Sequence, residues 1–198
     1  MGRGALPWRK VTPRQPSPLD ERGVALVEFA LVLPLVLLLL FGMIDFGKAF
    51  NYWNDETHLA NEGARYAVVN RNPFPQPAGF TGTWDLENAI KQDADSAELR
   101  NGCSDCSIGN GGITVQFCFV NEDPSNPGQP LTTAGAPLRA TVSASYHWLA
   151  YLIGKGLPAS SGLTGSATMR IEKDYKPAPS NPADYSNNAY LKSGPVLC

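Results

Sequence analysis

A single carboxylate stands where carboxylates are rare. Residues 24–44 read VALVEFALVLPLVLLLLFGMI, and Glu28 is the only charged side chain among them. An acid at the centre of a membrane-spanning helix costs roughly 2.5–3.5 kcal/mol on insertion scales. Such a group either finds a cation or lies close enough to the interface to stay solvated. No basic residue follows Glu28 within a helical turn, and Arg22 lies six positions upstream. Pro34, inside the same run, forfeits the hydrogen bond to the Ala30 carbonyl and should bend the helix, although membrane helices also tolerate proline with no specific role.

The second reactive set is Cys103, Cys106, Cys118 and Cys198. The spacing Cys103-Ser-Asp-Cys106 suits zinc or a redox motif, but zinc would want a second pair so spaced, and a thioredoxin-like site would need a βαβ context that the chain lacks. Structural disulfides in an outward-facing domain are the preferred reading. Four cysteines allow three connectivities. Cys103–Cys106 with Cys118–Cys198 is slightly favoured and would staple the C-terminal tail, but spacing leaves the choice open.

Other groups carry less. His58 and His147 read as surface or satisfied histidines, and Asp55-Glu56 and Asp93-x-Asp95 as solvated helix charges. The glycines of NGCSDCSIGNGG form a turn cluster with no lysine at phosphate-loop spacing, and no serine sits in a G-x-S-x-G elbow. Trp148, Tyr151 and Leu152 read as core packing or as a small exposed patch. No acid, base and nucleophile set qualifies as a catalytic site, so the expectation is a protein that is not an enzyme, with no metal or cofactor.

The elements that must position these residues follow from charge and periodicity. Charged residues make up 17% of the 198, below the roughly 25% of a soluble domain, so part of the chain should avoid water. A net charge of −2 argues against nucleic acid as a partner. Residues 1–23 form a basic leader, with Arg3, Arg9, Lys10, Arg14 and Arg22 against Asp20 and Glu21, a balance of +3; the remainder carries −5. Residues 24–44 as a helix span about 31 Å, the thickness of a hydrocarbon core. A signal peptide fits less well, because 16 apolar residues from Phe29 to Ile44 run into FGKAFNYW with no A-x-A pattern. A buried helix would not need so unbroken an apolar surface. The basic flank predicts a single-pass anchor with its N-terminus in the cytoplasm and everything after Asp45 outside.

The helix should continue over residues 45–70. Phe46, Phe50, Trp53, Ala60, Ala64, Ala67 and Val68 recur at spacings of mostly three or four, and Asp45, Lys48, Asp55, Glu56, Glu62 and Arg65 fill the other positions. The prolines of NRNPFPQP end it. Residues 71–175 then read as a small α+β domain outside the membrane. Asp85 to Leu99 looks like one short helix. Period-two alternation predicts strands over Ile113–Phe119, Leu138–Trp148 and Leu163–Ile171, each with one buried face. An antiparallel sheet of these three needs a cover, which the amphipathic half of the helix can provide. Asn121 to Pro137 is expected to be an irregular loop, and residues 176–198 an extended tail.

Against that background the string RGVALVEFALVLPLVLLLLFGMIDFGKAF takes on meaning. Gly23 followed by VALVEF places glutamate five residues after a glycine, behind a basic leader and at the head of an apolar helix. This resembles the processing site of type IV prepilins, and the longer string resembles the TadE-like family, pseudopilins of the tight-adherence (Flp-type) pilus system. SATMRIEK, on the last predicted strand, resembles the ending of TadE-like domains. The resemblance covers about Arg22 to Asn70 and matches the sheet region only in outline. It implies a pilin-like fold and cleavage between Gly23 and Val24 by a prepilin peptidase, for which a residue without a side chain allows close approach to the backbone. Cleavage would leave a cationic α-amine on Val24 to pair with Glu28, within one subunit or between neighbours. Phe29 stands where major Flp-type pilins commonly carry tyrosine, and those pilins are much shorter, so the resemblance points to a minor pseudopilin. Implied partners are the membrane, the prepilin peptidase, other pilin-like subunits and the assembly machinery. The competing reading is a membrane-tethered binding or sensory module that keeps its leader.

Overall fold

The longest element is helix α1, Pro18–Val68, 51 residues in length. It starts ahead of Val24, so Gly23 lies inside it. Proline suits the first helical position because its missing N–H would have no partner there. The helix runs on through Pro34. It stops before the prolines of residues 73–77, at Asn70, whose φ is +52°. The Asn70 amide donates to the Ala67 carbonyl (3.1 Å) and the Arg71 amide to the Tyr66 carbonyl (3.0 Å). That pairing is a Schellman cap with asparagine in the left-handed position.

The computed structural model describes residues 18–71, 78–79, 84–102, 108, 111–148, 160–175, 191 and 195–198. Cys103, Cys106, Tyr151 and Leu152, and most of the expected tail, lie outside the described residues. The chain divides into two compact units, Met1–Met43 and Ile44–Cys198. In the first unit no described side chain is buried. The second unit holds the core.

That unit contains helices α2 (Leu86–Asp93) and α3 (Ala97–Asn101), and strands β1 (Thr114–Phe119), β2 (Glu122–Asp123), β3 (Asn126–Pro130), β4 (Pro137–His147) and β5 (Ser160–Arg170). The three expected strands form one antiparallel sheet in the order β1-β4-β5, with Phe117 opposite Ala140 and Val142 opposite Gly165. Two expectations are corrected. The helix expected over Asp85–Leu99 is two helices, because Ala94 is extended and Ser96 caps a new start by accepting from the Leu99 amide. The loop expected over Asn121–Pro137 contains the β2–β3 hairpin, turned by Asp123 accepting from the Ser125 amide and the Asn126 side chain.

The apolar face of the sheet (Phe117, Phe119, Leu138, Ala140, Val142, Tyr146, Ala167) packs in one core with Ala49, Tyr52, Leu59, Ala60, Ala64, Ala67 and Val68 of α1. The outer half of α1 is therefore the cover. Small residues allow close approach: a Cβ on Gly165 of β5 would lie 2.5 Å from the Glu56 backbone carbonyl carbon. The end of the chain runs beside β1, with the Phe119 amide on the Val196 carbonyl, the Cys198 amide on the Phe119 carbonyl, and a Cys118–Cys198 disulfide.

Candidate functional site

Two sets of residues on α1 carry the functional questions, one in each unit. In the first unit, Gly23, Val24, Glu28, Phe29 and Pro34 are all exposed, Val24 at 57% and Phe29 at 62%. A Cβ on Gly23 would meet nothing within 4 Å. Glu28 is one helical turn beyond Val24, the spacing at which side chains on a helix are neighbours. Among the described residues no salt bridge reaches Glu28. The helix from Gly23 onward contains a stretch long and apolar enough to cross a membrane, none of it buried. From Leu33 at 38% to Met43 at 77%, leucine, valine and aromatic side chains face outward in every direction. A helix apolar all round and covered by nothing of its own chain belongs in lipid or against other apolar helices.

In the second unit the arrangement inverts, and the amphipathic stripe expected from the sequence is corrected in its first three members. Phe46, Phe50 and Trp53 are exposed at 65%, 57% and 45%. The face laid on the sheet carries instead Asp45, Ala49, Tyr52, Asp55, Glu56, Leu59 and Ala60, all buried. The aromatic residues dominate any apolar count, but only a small-residue face lets the helix backbone sit on Gly165. Asp55 and Glu56 are therefore not solvated charges. His58 and His147 are exposed as expected, as are Asp93 and Asp95.

The buried polar groups mostly have named partners. The Tyr146 hydroxyl, on β4, donates to Asp45 Oδ1 at 2.7 Å. The Asp95 amide, freed where α2 and α3 separate, donates to Asp55 Oδ2 at 3.2 Å. The Tyr52 hydroxyl donates to Glu98 Oε2 at 2.5 Å, Lys48 Nζ lies 3.2 Å from the same oxygen, and the Ile108 amide donates to Glu98 Oε1 at 3.0 Å. Burial alone would raise the Glu98 carboxyl, yet the hydrogen bonds from Tyr52, Ile108 and Lys48 outweigh it and hold the group below the usual carboxylate range. Burial raises Asp55, partly offset by the Asp95 amide. The Asn70 side-chain amide has no partner among the described residues, and neither has Glu56, which is 0% exposed with both carboxylate oxygens unpartnered there. Burial first, and then the neighbouring Asp55, push it up to about 8. It is a neutral acid at pH 7, sealed between α1 and β5.

Asp45 joins α1 to the sheet, and Asp55 and Glu98 join α1 to the segment of α2 and α3. Among the described residues no three His, Cys, Asp or Glu side chains are grouped to hold a metal. Sequence reasoning placed Tyr146 on a buried strand face but missed the buried set of Asp45, Tyr52 and Glu56. The available signal was the spacing Asp45, Ala49, Tyr52, Glu56, Leu59, Gly63, a stripe at three and four residues built on small and polar types.

Together these features define a class: among the described residues, one helix long and apolar enough to cross a membrane, and a small antiparallel sheet with a helix as its cover. Residues 23–65 match the family model described as TadE-like protein. Searches of curated proteins and of solved structures found no match.

Proposed function

We propose that this chain is a minor pseudopilin of a tight-adherence pilus, a structural and assembly component with no enzymatic role. The observation that carries the reading is the match over residues 23–65, which takes in Gly23, Glu28, the whole apolar stretch and the start of the sheet cover. The basic leader stays in the cytoplasm. A prepilin peptidase cuts between Gly23 and Val24, and the new α-amine offsets the Glu28 carboxylate one turn away or on a neighbouring subunit. Pilin-like helices then associate through the exposed apolar surface by close packing and polar pairing. The domain beyond Ile44 faces outward and meets partners of the pilus machinery.

N-terminal mass spectrometry of membrane-extracted protein, from cells with and without the prepilin peptidase, tests this. Val24 as the first residue in the presence of the peptidase, and Met1 in its absence, is the expected result. Retention of Met1 in both would overturn processing and favour a tethered module that keeps its leader. A Glu28→Ala variant that is trimmed but fails to co-purify with pilin-like subunits is expected; normal assembly of that variant would sink the pairing role.

A further inference from the structure

We infer that α1 carries a two-point hinge at Gly42 and Gly47, and that the bond between Asp45 and Tyr146 latches the turn between them. The inference rests on reading residues 24–44 as a membrane anchor. It goes further in giving α1 a built-in place to open at the end of that anchor.

The two glycines stand on either side of the boundary between the compact units, which falls between Met43 and Ile44. Both are inside the helix. Glycine in a helix interior opens more readily than alanine, by a factor of about five per residue. Each is therefore a weak point unless packing requires it, and packing does not. A Cβ on Gly42 or on Gly47 would meet nothing within 4 Å. Gly63, further along α1, is the contrast. There a Cβ would lie 3.2 Å from Phe117 Cζ and 3.4 Å from Ile90 Cγ1, so the absent side chain makes room for the core. Nor do Gly42 and Gly47 form one smooth seat for a neighbouring helix. Five residues carry an α-helix about 140° beyond a full turn, which puts the two on different sides. What the two positions share is a freer backbone.

The turn between them has one fixed point. Residues 42–44 and 46–48 are exposed, and Asp45 is the first buried residue of α1 among those described. The Tyr146 hydroxyl, fully buried on β4, lies 2.7 Å from Asp45 Oδ1 and 3.2 Å from the Asp45 carbonyl oxygen. One hydroxyl thus holds both the side chain and the backbone of this turn. Beyond Gly47 the fastenings multiply. Lys48 and Tyr52 meet Glu98, Asp55 takes the Asp95 amide, and Ala49 and Tyr52 enter the core. With Asp45 held, the turn belongs to the domain and α1 gives at Gly42. With Asp45 released, the next firm residues are Lys48 and Ala49, and α1 gives at Gly47 as well. Local opening concentrates where buried contacts are few, which holds for residues 42–48 and not for the buried face from Ala49 onward.

The test is amide hydrogen exchange of the full chain in phosphatidylethanolamine–phosphatidylglycerol nanodiscs, resolved to single residues by mass spectrometry. The expected profile has a minimum of protection over residues 43–50, between slower exchange at 30–40 and at 56–66. Gly42→Ala and Gly47→Ala should each slow exchange in that window by about fivefold and leave 56–66 unchanged. Tyr146→Phe should speed exchange by about tenfold at residues 45–49 alone. Protection that runs evenly from 30 to 66, or a window that the alanines do not slow, would overturn the hinge. Tyr146→Phe speeding 45–49 and 56–66 alike would overturn the latch, since a hydroxyl that only stabilises the domain loosens it everywhere. Fast exchange at residues 30–40 in the lipid would sink the anchor reading itself, a failure distinct from an even profile.

Discussion

Glu28 and Glu56 lie on the same helix in opposite surroundings. Glu28 stands on a stretch whose side chains are all exposed, among apolar neighbours that its own chain does not cover. Glu56 is sealed under β5 with both oxygens unpartnered among the described residues. The first acid depends on something its folded domain does not supply, a cation or an interface. The second is accommodated by its own domain, which keeps it neutral. An isolated acid in an apolar context thus has two physical solutions, and what separates them here is small residues. Gly165 and the alanines of the outer half of α1 let a sheet close over the helix, whereas the leucines of residues 35–40 leave no room for one.

If the outer half of α1 owes its place to the domain and the inner half does not, the largest effect should come from loosening the domain itself. The Cys118–Cys198 disulfide closes a sequence separation of 80 residues. Replacing both cysteines by serine should lower the stability of the outer unit by about 4 kcal/mol from loop closure. Urea unfolding of the full chain in detergent micelles, followed by circular dichroism, reads this. Helical signal from residues 24–44 should survive the transition.

The comparison is sharpened by one substitution made twice. Leu59 is 1% exposed in the core, and Leu59→Ala should cost about 3 kcal/mol. Leu35 is 61% exposed, and Leu35→Ala should shift the same transition by about 0.5 kcal/mol or less. Equal effects would break the distinction between the two halves.

Much of this division was legible in the sequence. The apolar run from Val24 to Ile44 has no other reading of comparable strength, and the alternation in β1, β4 and β5 predicted both the strands and their buried faces. What could not be read is which side of residues 45–68 meets the sheet. Aromatic rings outweigh alanine in any apolar pattern, yet a sheet closes over alanine and glycine more readily than over Phe46 and Trp53. Nor could the sequence show that Asp55 is held by an amide from residue 95, since that bond exists only because the helix breaks at Ala94. The β2–β3 hairpin was hidden by prolines, which suit edge strands as well as loops.

The sealed acid supplies a pH test. The Glu56 carboxyl is raised from the ordinary 4.5 to about 8 in the folded domain. Between those values the folded state holds a proton that the unfolded state has lost. This contribution is complete below about pH 4.5 and declines as pH rises toward 8, by about 1.4 kcal/mol per unit at most. Glu56→Gln removes the titration and should match the parent near pH 4.5. Near pH 8 it should be the more stable by on the order of 4 kcal/mol. Parallel stability curves for the two proteins from pH 4.5 to 8 would show that Glu56 is solvated, and the contrast with Glu28 would fall.

A further test concerns the link between α1 and β4. Tyr146→Phe deletes one hydroxyl and leaves the ring, so packing against Tyr52 and Trp148 is kept. What goes is the 2.7 Å hydrogen bond to Asp45 Oδ1, a donor to a buried carboxylate, worth about 1.5 kcal/mol. The domain should lose about that much stability in micelles at pH 7. Asp45→Asn keeps an acceptor for the hydroxyl and should cost less, and Tyr146→Phe combined with Asp45→Asn should cost less than the two single losses added together. A double variant whose loss equals that sum would mean the two groups act independently, and Asp45 would then be turned from the exposed face for a reason other than Tyr146.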